Sequence, residues 1–380
     1  MKQKKPTILI LINVRWWNAT AFYAVNIARI LCKNGHRVFV GCDPHYPAYK
    51  KAVAYDLNTV PLAFYGYNPI KLFKSFIHMS RLIKKEQIEI LNPHRAEDHF
   101  FALLAKLTTG VSLVVTRGDQ RKIKRGLLSR LKYSLSDAVV TTCRSIIDQN
   151  QHIFSSMPYK VYVIYGSVDE EHFCLPPTCK SKPCKLDIDT NRLTIGLVGR
   201  ISPIKGQETF IQAAAIVLNQ YKNIRFVILG QEIDTKIGQL RTKAVNLGVE
   251  QHIIFISEMP LVADFIHSCD ICVTASVASE TISRVVLEYL YTGKPVIGTR
   301  INAIAEIILP GINGELFNPY DHDSLASAIL KLAQNPDLRR LYAQNSRRLY
   351  QERYSEQIFY KKYLKVLSKC CQTTSTTITS

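Results

Sequence analysis

A chain of 380 residues, 47% of them apolar, is long enough for two domains that each bury a core. No apolar run approaches the ~20 residues that a membrane-spanning helix needs, so a helical membrane protein is not expected. The formal net charge of +19 asks for an anionic partner, a membrane surface or a nucleic acid.

Lys2, Lys4 and Lys5 precede the apolar run Ile8 to Ile12. The run is short and breaks at Asn13 and Arg15, so it reads as a core strand rather than a secretion signal. The spacing predicts strands over residues 7–14, 37–42, 88–93, 112–117, 138–142 and 161–165 in the first half. The second half has them over 193–198, 224–229, 253–256, 271–275 and 295–298. Helical patterns fill the gaps. Such alternation implies two parallel α/β sheets, each doubly wound and Rossmann-like. Residues 1–175 form the first expected domain and 192–353 the second. Residues 176–191, with Pro176, Pro177, Pro183 and several lysines, read as the linker. From Asp323 onward the pattern is helical, with an amphipathic stretch from Glu356 to Lys369. The Ser/Thr-rich residues 373–380 read as a disordered tail.

In an open α/β sheet, ligands sit at the C-terminal ends of strands. That singles out Asn18 after the first strand, His94 after the third, and Arg117 with Asp119 after the fourth. Arg117 and Asp119 could contact an acceptor or simply pair with each other. Lys71, Lys74, Arg81, Lys84 and Lys85 share a helical pattern with Ile70, Phe73, Phe76 and Ile77. Arg121, Lys122, Lys124, Arg125, Arg130 and Lys132 form a second basic cluster. Without a helix-turn-helix, zinc-finger or aromatic RNA-binding signature, an anionic membrane surface ranks above nucleic acid, and no nucleic-acid partner is expected. Of the ten cysteines, Cys32, Cys143, Cys269 and Cys272 read as small core residues, and Cys174, Cys179 and Cys184 as linker residues. Reduced thiols and a reducing compartment follow.

The sharpest signal lies in Ser279-Glu280-Thr281-Ile282-Ser283-Arg284-Val285-Val286-Leu287-Glu288. Two acids placed across a strand–loop–helix junction can each accept from sugar hydroxyls. The helix that starts there aims unpaired N–H groups at the same space, which favours phosphate. Upstream, Gly199-Arg200-Ile201-Ser202-Pro203-Ile204-Lys205-Gly206 follows another apolar strand. Fixed cations there would stabilise a leaving group that gains negative charge.

These runs resemble the retaining GT-B glycosyltransferases called group one, whose signature is Glu-x7-Glu, usually written E-G-F-G-x4-E. Thr281, Ile282 and Ser283 replace its Gly-Phe-Gly. Residues 163–173 resemble the family's P-N-G-V-D-x3-F segment. Residues 300–306 and 311–319 resemble its G-G-x-x-E and G-x-N-G-x-L-x-x-P runs. The resemblance implies two Rossmann-like domains facing a cleft, the first binding acceptor and the second a nucleotide-sugar, with residues 354–380 crossing back to the first. It implies transfer of a sugar from a nucleotide diphosphate donor with retained configuration and neither metal nor cofactor. Arg200 and Lys205 would hold the diphosphate. Glu288 would hold the ribose and Glu280 the donor sugar. Ser283 and Arg284 would lie beside the phosphates. Glu258 and Met259 would border the base, and His94 would stand near the reaction centre. The expected acceptor is a cell-envelope glycan or glycolipid of lipopolysaccharide or surface polysaccharide assembly. The expected location is cytoplasmic, peripheral at the inner face of the plasma membrane. An epimerase or phosphorylase on the same fold, or a dead basic binding protein, stays open.

Overall fold

The computed structural model describes residues 5–66, 68–171, 173, 191–258 and 262–376, with side chains through residue 371. The expected linker, apart from Asn191, lies outside the described residues, as do Met259 and residues 377–380. Contacts divide the chain into two compact units, Met1–Gly166 with Glu356–Ser380, and Ser167–Ser355.

The first unit is built on a seven-stranded sheet, β1 (Ile8–Leu11), β2 (Val38–Cys42), β3 (Asn58–Pro61), β4 (Ile90–Pro93), β5 (Ser112–Arg117), β6 (Ala138–Thr141) and β7 (Val161–Val163). Its order is β3-β2-β1-β4-β5-β6-β7. Every pairing is parallel. Residues 8–11 are fully buried, as expected of a central strand covered on both faces. The order reverses between β1 and β4, which opens a crevice at their C-terminal ends. The chain leaves β1 there through Asn13 to Asn18 and leaves β4 there through His94.

The second unit holds a six-stranded parallel sheet, β8 (Leu193–Val198), β9 (Ile224–Leu229), β10 (Ile253–Ile256), β11 (Ile271–Thr274), β12 (Val296–Thr299) and β13 (Gly314–Phe317). Its order is β10-β9-β8-β11-β12-β13. The reversal here falls between β8 and β11. Ile195, Leu197, Phe226 and Val273 pack with Phe210 of the helix Gln207–Gln220 in its core.

Two strands escape the sequence pattern. β3 is Asn-Thr-Val-Pro with only Val60 buried, and β13 is Gly-Glu-Leu-Phe. Both are four-residue edge strands, which have neighbours on one side only and carry no apolar run. The last helix, Glu356–Thr376, continues past the expected start of the tail at Thr373. Buried Cys370 packs within its final turns. This helix is tied to the first unit by polar bonds under cover. Glu356 pairs with Arg29, both nearly buried. Tyr363 donates to Asn92 Oδ1 at 2.6 Å.

Candidate functional site

The loop after β8 is shaped by its own backbone. Ile201 N donates to Gln231 O at 2.8 Å, so it stays tied to the segment after β9. Pro203–Lys205 forms one 3-10 turn, ended by Gly206 at φ +67°. A Cβ on Gly206 would lie 2.0 Å from the carbonyl oxygen of Ala275. Glycine is therefore required twice, for its dihedral and for the close approach of the β11 terminus. Val277 N donates to Ile204 O at 2.9 Å and stitches the loops after β8 and β11 together. Gln207 Nε2 holds Arg200 O at 2.9 Å. The Arg200 side chain is left exposed.

This stitching brings the two sequence signals into contact. Lys205 Nζ pairs with Glu280 Oε1, across 75 positions of sequence. Ser276 Oγ donates to the same oxygen at 2.8 Å. The backbone of Glu280 is held by Asn302 and Ala303: its N–H donates to Asn302 Oδ1 at 3.4 Å, and its carbonyl accepts from Ala303 N at 3.0 Å. Glu280 is 7% exposed and Glu288 4%, so neither is an ordinary surface acid. Glu288 accepts from Arg284 Nε at 2.7 Å, one helical turn earlier. Arg284 thus leans toward Glu288.

The helix Arg284–Tyr291 is set against the sheet by buried Tyr289. Its hydroxyl accepts from Val198 N at 3.0 Å and donates to Val273 O at 3.3 Å, so one group touches both strands of the switch point. Ser283 starts the helix with φ +49°, a conformation that a glycine would take at no steric cost. Serine thus holds a glycine-like turn where the family has glycine. The hydroxyls of Ser202 and Ser283 are buried without a hydrogen-bond partner. Orphaned buried hydroxyls are uncommon, and two of them border these loops. Glu258 follows the edge strand β10, is exposed, and accepts from Gln231 Nε2 at 3.1 Å.

In the first unit His94 is buried, and burial pushes its imidazole down to about 3. It is neutral at physiological pH. Asn92 gives both amide hydrogens away, to Val114 O and Thr116 Oγ1, so its Oδ1 faces His94 Nε2 at 3.0 Å. Nε2 must then carry the proton, and buried Nδ1 is an acceptor without a partner. Asn18 spends its side-chain oxygen on Ala21 N at 3.0 Å as a helix cap. Arg117 bonds Asp119 at 3.0 Å and the Tyr133 hydroxyl at 3.2 Å, while its buried Nε has no hydrogen-bond partner.

Asp98 carries no sequence signal, yet it organises this end of the sheet. It accepts from Asn13 N at 3.1 Å and Asn13 Nδ2 at 2.7 Å. Asn13 Oδ1 in turn holds Asp43 N at 3.1 Å. Burial lifts the Asp98 carboxyl to about 7. Among the described residues Cys32, Cys42, Cys269 and Cys272 are free thiols, and no three His, Cys, Asp or Glu side chains gather as a metal site. No described helix is long and apolar enough to cross a membrane.

Comparison with known proteins agrees with this fold. Residues 180–349 match the family described as Glycosyl transferases group 1, and residues 20–172 match Glycosyltransferase Family 4. N-acetyl-alpha-D-glucosaminyl L-malate synthase of Bacillus anthracis is 24% identical over 75% of this chain and 76% of its own. A glycosyltransferase from Rickettsia africae ESF-5 superposes with a TM-score of 0.85 at 19% identity, over 97% of this chain and 99% of that one. Anabaena Alr3699/HepE in complex with UDP gives 0.81 at 17% identity, over 95% and 99%. The lipopolysaccharide outer core galactosyltransferase WaaB gives 0.70 at 14% identity, over 95% and 99%. With two parallel Rossmann-like units and both halves matched, the chain belongs to the group 1 glycosyltransferases, a retaining, nucleotide-sugar-dependent family with the GT-B fold.

Proposed function

We propose that this glycosyltransferase moves a sugar from a uridine diphosphate-sugar to a cell-envelope glycan or glycolipid. The observation that carries the donor half is the meeting of Lys205 and Glu280 at the β8–β11 switch point. Arg200 and Lys205 neutralise the diphosphate as it leaves, so no metal is required for that role. The N-terminus of the helix Arg284–Tyr291, with Ser283 and Arg284, seats the phosphates. Glu288 accepts from the ribose hydroxyls. Both recorded bonds to Glu280 fall on Oε1, and Oε2 accepts from a hydroxyl of the donor sugar. Glu258 borders the base. His94, neutral with Nδ1 open, accepts from a hydroxyl on the acceptor-binding unit. The uridine choice is supported by the Anabaena complex, and the envelope acceptor by the lipopolysaccharide transferase of the same fold.

The proposal includes peripheral attachment at an anionic membrane surface. Leu127 and Leu128 are 81% and 82% exposed. Arg121, Lys122, Lys124, Arg125 and Arg130 are exposed around them. Leu127, Leu128 and Arg130 lie on the helix Leu127–Ser134, and the loop before it is anchored by buried Ile123, whose N–H donates to Asn150 Oδ1 at 2.8 Å. Two basic residues are spent otherwise: Lys132 donates to Ala96 O at 2.8 Å, and Lys71 pairs with Asp43 at 3.1 Å.

The test is donor turnover. Arg200→Ala and Lys205→Ala should each raise the barrier by about 2–4 kcal/mol, the scale of one lost transition-state donor. Turnover should be unchanged by a chelator. Normal turnover in both folded variants contradicts the assignment.

A further inference from the structure

We infer that the acceptor is an amphiphile whose aliphatic segment enters an aromatic pocket of the first unit. This inference rests on the transferase reading above and adds the class of acceptor.

The pocket has a volume of about 530 Å³ and is lined by Phe64, Tyr65, Leu72, Ala96, Phe100 and Phe101, with Glu97 as the charged residue among the described lining. It is formed by the segments that follow β3 and β4, the latter a strand of the switch point. Its walls are fixed. Phe64 stacks on Phe101 with centroids 4.6 Å apart, and Phe100 meets Phe101 edge-on at 5.4 Å. The Arg15 guanidinium lies 4.4 Å from the Tyr65 ring centre, tying this wall to the loop after β1.

The lining chemistry selects the occupant. A sugar buried here would need a partner for each hydroxyl, and among the described lining residues the side chains supply one carboxylate and one phenol. Glu97 is already approached by Arg95 Nε at 3.6 Å. An aliphatic chain needs no partners, and the volume falls within the usual ~300–1,000 Å³ of small-molecule pockets. The apolar surface also continues outward. Leu72 belongs to the helix Pro69–Lys85, whose Ile70 and Phe73 are 65% and 64% exposed. Exposed Lys74 lies beside Phe73 and suits an anionic head group. A monomeric polar acceptor would leave both the pocket and this strip unused.

The test is calorimetric titration of the full chain with dodecyl phosphate below its micelle concentration, with inorganic phosphate as comparator. Wild type should bind the alkyl phosphate and show no comparable heat with inorganic phosphate. Phe100→Ser removes a half-exposed wall, and Ala96→Trp fills the space from an exposed position, so neither disturbs the core. Each should weaken dodecyl phosphate at least tenfold while the thermal shift produced by UDP stays unchanged. Equal binding by wild type and both variants, or no binding by wild type, overturns the inference. If wild type binds dodecyl phosphate but no nucleoside diphosphate, the transferase reading falls and the chain-binding pocket stands.

Discussion

Gly206→Ala tests whether the two loops of the donor site depend on one close approach. At φ +67° an alanine carries a left-handed backbone penalty of about 1–2 kcal/mol. Its Cβ would also sit 2.0 Å from Ala275 O and 2.8 Å from the Ala275 carbonyl carbon. These are backbone atoms at the end of β11, so no side chain can turn aside. The 3-10 turn must move by about 1 Å or more, which adds overpacking strain of roughly 1–3 kcal/mol. A total loss of about 2–5 kcal/mol follows. Because Lys205 is the residue before Gly206, the shift also misplaces its ammonium, and a 1 Å error can cost on the order of 10²-fold in function. Gly238→Ala is the control: it lies in the helix Ile237–Asn246, and an added Cβ meets nothing within 4 Å. It should be neutral or slightly stabilising. Urea unfolding followed by circular dichroism, with UDP titration of the folded protein, reads both effects. If the two alanine variants behave alike, the loop does not depend on this contact and the reasoning fails.

Asp98 should make stability depend on pH in a defined direction. Its carboxyl lies at about 7 in the folded chain against an ordinary 3.8, so the folded state keeps a proton that the unfolded chain has lost. Its stabilising contribution is whole below about pH 4 and is lost as pH rises to about 7, by up to about 4 kcal/mol. His94 works the other way, losing stability as pH falls from about 6.5 toward 3. The stability difference between wild type and Asp98→Asn should therefore decline from pH 4 to 7 and then level off; a constant difference contradicts the assignment. For the membrane face, replacing both Leu127 and Leu128 by Ser should weaken binding to anionic vesicles, and raised salt should weaken it further. Neutral and anionic vesicles bound alike would exclude electrostatic docking.

Most of the strands could be read from apolar runs such as Leu193–Val198 and Ile224–Leu229, because central parallel strands are apolar on both faces. The edge strands β3 and β13 could not, since one-sided pairing demands no such run. The acids Glu280 and Glu288 were legible through their spacing. The groups that aim them were not: Ser276 and Asn302 are short polar residues in loops, and their roles arise only when folding brings them beside Glu280. Tyr289 carries no signal in the sequence, although its hydroxyl joins β8 to β11. Asp98 and Tyr363 act on Asn13 and Asn92, far away in sequence, and no local pattern announces such partners. Asn18 and Arg117 illustrate the reverse case. Their positions at strand ends suggested ligand contacts, while the Asn18 side-chain oxygen caps a helix and one Arg117 nitrogen pairs with Asp119.

The division of labour between the two buried acids is the most direct test of the donor site. Isothermal titration of UDP and UDP-glucose should be carried out on wild type, Glu280→Gln and Glu288→Gln. Glu288→Gln should weaken both ligands by about 10–100-fold, the worth of a charge-assisted hydrogen bond, because both carry the ribose. Glu280→Gln should weaken UDP-glucose by a similar factor and leave UDP nearly unchanged. UDP binding at wild-type strength by Glu288→Gln, or equal losses of both ligands in Glu280→Gln, would contradict the account.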